Sequence, residues 1–81
     1  MYYVYIIKSR KDGKHYVGYT EDLIRRISDH NEGKGKYTKE HMPWDLVYYE
    51  AHLTKELARK TELFYKTGQG RRQIKKKLGI E

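Results

Sequence analysis

The chain has 81 residues, too few for more than one domain or a large core. It carries 18 Lys and Arg against 11 Asp and Glu, a formal charge of +7, with nine tyrosines and no cysteine. Disulfides and thiolate metal sites are therefore excluded, and no apolar run is long enough to cross a bilayer.

Residues 2–8 (YYVYIIK) are apolar or aromatic on both alternating faces, as in a central strand covered on two sides. Asp12-Gly13 marks a hairpin, and residues 14–20 (KHYVGYT) supply its second strand. Gly18 interrupts that strand and signals a bulge or a close backbone approach. Thr20 is the expected cap of a helix over Glu21–Asn31, with Leu23, Ile24 and Ile27 as its apolar stripe and Gly33 and Gly35 at its end. Residues 34–42 read as a basic loop, and Pro43 precedes a third strand, Trp44–Glu50. Thr54 opens a second helix to about Thr67, which Gly68 terminates. Gly70 introduces a short last helix in which Ile74 and Leu78 share a face. The order β-β-α-β-α-α predicts an α+β fold: a small three-stranded antiparallel sheet flanked by about three helices, all one domain over 1–81.

The positive balance suits a polyanion, with basic side chains displacing counterions from a nucleic-acid backbone, above all DNA. No stretch combines a broad apolar face with a basic one, so a membrane partner is not expected. The chain opens without a charged stretch and apolar block, which predicts no signal peptide and a cytoplasmic protein. Lys34, Lys36, Tyr37 and Lys39 in the loop are candidate nucleic-acid contacts. So are Arg71, Arg72, Lys75 and Lys76 in the last helix, where five of the seven residues 71–77 are basic. A solvated charged face is the plainer reading of both groups.

Helical geometry points Leu23, Ile27 and His30 the same way, with Arg26 on the border of that stripe and Arg25 toward solvent. Arg26 can pair with Glu21 or Asp22, or reach a site where helix meets sheet. His30 is either a satisfied core histidine or part of that site. Tyr5 and Tyr16 are expected side by side on the hairpin, as a cross-strand aromatic pair or as reactive phenols. Glu62 lies at the edge of the second helix's apolar face. It is placed for an ion pair with Lys66 or Arg59, about 0.2–0.5 kcal/mol, or for a hard metal ion.

In this order, Y-V-Y at 3–5, Y-V-G at 16–18, T-E-D-L-I-R-R-I-S-D-H-N-E-G at 20–33, K-Y-T at 36–38 and P-W-D-L-V-Y-Y-E at 43–50 resemble the GIY-YIG nuclease family. The resemblance extends to the helix bearing Glu62 and is greatest to the family's small standalone bacterial members. It implies a catalytic set of Tyr5, Tyr16, Arg26, His30 and Glu62, with Glu62 as ligand to one Mg²⁺ or Mn²⁺. Tyr16 becomes the general base and Tyr5 a positioning group, with Arg26 facing the charge on the phosphorane. Tyr3 stands where the family name has its first glycine, and a late asparagine of some members has no counterpart here. The implied activity is endonucleolytic hydrolysis of DNA, in repair or recombination, by a monomer or weak homodimer. A binding module of the same fold with weak or no turnover is the alternative, and a small interaction subunit is a third.

Overall fold

In the computed structural model, which describes residues 1–79, strand β1 (Tyr2–Ser9) is flanked by β2 (His15–Thr20) and β3 (Trp44–His52). Both pairings are antiparallel, giving the sheet order β2-β1-β3. Val4 to Ile7 are all buried, the consequence of an apolar run with no polar face. Full burial of such an aliphatic side chain is worth about 1.5–3 kcal/mol. Helix α1 (Leu23–Asn31) covers one face of the sheet, while α2 (Lys55–Tyr65) and α3 (Gly68–Leu78) cover the other. Two small cores result. Val4, Ile6 and Val17 pack with Ala58, Tyr65 and Ile74, and Tyr5, Ile7 and Trp44 pack with Leu23, Ile27 and Met42. The α+β class and the element order are those read from the sequence.

Several details differ. Asp22, not Thr20, caps α1 by accepting from the Arg25 amide at 3.2 Å, and Thr20 instead accepts from the Asp22 amide at 3.1 Å. Ile24 is 85% exposed and does not belong to the apolar stripe. It stands about 100° around the helix from Leu23, beyond the arc that faces the sheet. The loop after α1 holds a 3₁₀ turn, Thr38–His41, and β3 runs two residues past Glu50. The Ser9 hydroxyl donates to the His41 carbonyl at 2.6 Å and so ties the hairpin to that turn. Helix α2 stops at Tyr65, and α3 begins at Gly68, because Thr67 caps the next helix by accepting from the Gly70 amide at 3.0 Å. A side chain at Gly70 would run into the Phe64 carbonyl, so the glycine permits this tight corner.

The ladder pairs Tyr5 with Gly18 and Ile7 with Tyr16, so the two tyrosines are diagonal neighbours rather than directly opposed. Gly18 carries no bulge; the register shift lies between Ile6 and Ile7 against β3. The glycine instead lets the Tyr5 ring lie across the strand, with Tyr5 Cζ only 2.6 Å from where a Cβ would be. Gly18→Ala is expected to cost about 1–3 kcal/mol by pushing the phenol out of place. Urea unfolding of the variant checks this, and an unchanged midpoint contradicts it.

Candidate active site

The Tyr5 hydroxyl meets His30 Nε2 at 2.8 Å, and His30 Nδ1 meets Thr38 Oγ1 at 2.8 Å. Tyr5, His30 and Thr38 are all at most 2% exposed. This buried line joins β1, α1 and the 3₁₀ turn. Trp44 fixes its far end by donating from Nε1 to the Thr38 carbonyl at 2.8 Å. Burial, with the positive Arg26 nearby, holds His30 down at about 4, so its imidazole is neutral at pH 7. A neutral imidazole has one donor and one acceptor, so when Tyr5 donates to Nε2, Nδ1–H donates to Thr38.

Burial pushes the Tyr5 phenol up to about 12, against the opposing pull of Arg26; charge on Tyr16 and Glu62 adds to the rise. Arg26 is half-buried and faces Tyr5, which raises the guanidinium further. Asp29 adds to that rise, while Asp22 accepts from the Arg25 amide with its carboxylate and meets Arg26 only through its backbone carbonyl. Arg25 is exposed, as its helical phase required.

Tyr16 has a different environment. It is only half-buried, its ring meets His30 edge-on at 5.3 Å, and it stacks on Tyr37 at 6.0 Å with 25° between planes. The Lys66 ammonium lies 5.8 Å from the Tyr16 ring centroid. That same ammonium is 3.2 Å from Glu62 Oε2, and Arg59 Nη1 is 3.5 Å from Oε1. Both ion pairs open to Glu62 in the sequence are thus present, one turn to either side along α2. Glu62 is nevertheless 7% exposed, and its Oε1 accepts no hydrogen bond. A hard oxygen with an unfilled site is a fitting ligand for a divalent ion. The described residues hold no cluster of three acidic or imidazole ligands. Mg²⁺ needs none, since it keeps several waters and takes one or two carboxylates plus a substrate phosphate.

Beside β2 lies a groove of about 580 Å³ whose walls include Lys14, Tyr16, Tyr37, Lys66, Arg71 and Lys75. Three of the eight expected nucleic-acid contacts, Tyr37, Arg71 and Lys75, therefore converge on it. Lys34, Lys36, Lys39, Arg72 and Lys76 are exposed but do not line it, and Lys34 pairs with Asp29 at 3.3 Å. Sequence reading missed Thr38, Lys14 and the double contact of Lys66. Thr38 carried a signal as the last residue of the K-Y-T motif, and Lys66 in its spacing of four from Glu62. No helix among the described residues is long and apolar enough to cross a membrane.

Residues 1–77 match the family described as the GIY-YIG catalytic domain. The chain belongs to the GIY-YIG family. It is 45% identical over 75 residues to the UPF0213 protein SSP2268 of Staphylococcus saprophyticus, covering 91% of this chain and 90% of that one. It is 43% identical over 65 residues to the UPF0213 protein spr1390 of Streptococcus pneumoniae, covering 79% of this chain. The chain spans 65% of that relative's length. The solution NMR structure of the UPF0213 protein BH0048 from Bacillus halodurans superposes with a TM-score of 0.56 at 41% identity, covering 91% of this chain and 82% of that chain.

His30 provides a pH test of the buried line. Folding lowers its affinity for protons from the ordinary 6.5 to about 4. The folded state therefore binds fewer protons in that interval, and its stability falls as pH drops from 6.5 toward 4. His30→Gln should be less stable than wild type at pH 7 yet lose less between pH 7 and 4.5. Urea midpoints at the two pH values measure this, and equal losses in both proteins would refute it.

Proposed function

We propose that this chain is a divalent-metal-dependent endonuclease that hydrolyses phosphodiester bonds in DNA. The supporting observation is that Tyr5, Tyr16, Arg26, His30 and Glu62, from four separate elements, gather at the β2 side of the sheet beside a cationic groove.

The two tyrosines divide the work by environment. Tyr5 is buried, stays protonated, and acts as a donor oriented by His30. Tyr16 opens onto the groove beside the Lys66 ammonium, where a groove-bound water can reach its oxygen. Tyr16 is therefore the general base. Water attacks phosphorus, its proton passes to the Tyr16 phenolate, the bond to the 3′ oxygen breaks, and the leaving oxygen takes a proton from solvent water to become the 3′ hydroxyl. The proton on Tyr16 then leaves through the groove. Arg26 faces the negative charge that builds on the phosphoryl oxygens. Glu62 is the ligand for Mg²⁺ or Mn²⁺, which when bound supplies Lewis-acid polarisation of a phosphate oxygen. Arg71 and Lys75 hold the backbone beside the cut, and the protein acts as a monomer or weak homodimer.

A second reading, nucleic-acid binding without turnover, is favoured by one observation: both Glu62 oxygens already face cations. Supercoiled-plasmid nicking with Mg²⁺ or EDTA, beside salt-titrated DNA binding, separates the two. Tyr16→Phe should slow nicking about 10²–10⁴-fold, and Arg26→Ala about 10²–10³-fold. Glu62→Gln should abolish the response to Mg²⁺ while DNA binding persists. Full nicking by Glu62→Gln would eliminate the proposed metal role, and salt-sensitive binding with no Mg²⁺-dependent nicking by wild type would leave only the binding module.

A further inference from the structure

We propose that Lys66 is a tethered counter-cation that a divalent ion must displace from Glu62, so that nucleic acid and metal load together. The inference rests on reading Glu62 as the metal ligand.

A carboxylate with a 9% exposed side chain would be costly without a positive partner. Lys66 supplies one at 3.2 Å and Arg59 another at 3.5 Å. The two cations differ in what else they touch. The Arg59 guanidinium lies 5.1 Å from the Tyr19 ring centroid and is not part of the groove wall. The Lys66 ammonium lies near the Tyr16 ring, and Lys66 lines the groove with Arg71 and Lys75. Lys66 thus stands between two anion positions, the Glu62 carboxylate and a phosphate in the groove. Its side chain is 45% exposed and flexible, so it can turn from one to the other without backbone movement.

The consequences have opposite signs. A divalent ion and Lys66 compete for Glu62 Oε2, so Lys66 weakens metal binding to the free protein. A backbone phosphate draws Lys66 toward the groove, which releases the carboxylate. Phosphate and metal then strengthen each other's binding, and the effect is reciprocal. Free protein would remain largely unloaded, and the site would assemble on substrate.

Mn²⁺ titration of the full chain followed by electron paramagnetic resonance tests this without any turnover. Lys66→Met should bind Mn²⁺ about 5-fold or more tighter than wild type. Lys66→Arg keeps the charge and should stay near wild type, while Glu62→Gln should lose the site. Far-UV circular dichroism checks that each variant is folded, and Lys66→Gln serves as a second charge-removing variant. A phosphorothioate dodecathymidylate should tighten Mn²⁺ binding to wild type more than to Lys66→Met. Unchanged or weaker Mn²⁺ binding by both charge-removing variants, with Glu62→Gln still losing the site, overturns the role of Lys66 alone. Equal tightening by the oligonucleotide in wild type and Lys66→Met overturns joint loading. Unaltered Mn²⁺ binding by Glu62→Gln overturns the metal role of Glu62 and the inference with it.

Discussion

The contact between the Tyr5 hydroxyl and His30 Nε2 holds the rest of the site in place. It crosses from the central strand to the helix on one face, inside a core with almost no solvent. A buried polar pair of this kind is stable only if each member is satisfied. Thr38 satisfies the second imidazole nitrogen, and Trp44 fixes Thr38 in turn. The 3₁₀ turn is thereby pinned over the sheet, which brings Tyr37 onto Tyr16. One hydrogen bond thus positions groups from β1, β2, α1 and the following loop.

The sheet separates what the two faces contribute. The α1 face supplies Tyr5, His30 and Arg26, and the α2 face supplies Glu62 and Lys66. They meet at the β2 side, where the strand is short. This arrangement lets an 81-residue chain place a neutral imidazole, a protonated phenol, a guanidinium and a buried carboxylate close together.

Much of the fold was legible because apolar pattern decides it. The YYVYIIK run could only be a doubly covered strand, and the turn at Asp12-Gly13 and the cap at Thr54 fell where expected. The five clustered residues were legible through resemblance, and helical phase separated Arg26 from Arg25. The rest depended on tertiary facts. Hairpin register follows from loop closure and from the Tyr5 ring crossing Gly18, so sequence faces alone wrongly set Tyr5 against Tyr16. The buried role of Thr38 requires the loop to fold back onto His30, a contact that no local period encodes. Helix ends near Thr67 were misread because one threonine at a corner serves the helix that follows it.

That corner also fixes the rotational phase of α3 about its own axis. Gly70 presses against the backbone at Phe64, so the angular setting of Arg71 and Lys75 is inherited from α2 rather than chosen by α3. A residue added between Lys66 and Thr67, or the loss of Lys66, would shift α3 relative to α2 and re-aim its basic face away from the groove. The proposed catalytic cluster, which draws nothing from α3, would be left intact. Chain length at a single bend therefore acts as a dial for the cationic wall of the groove, adjustable in evolution or by design independently of the proposed catalytic cluster.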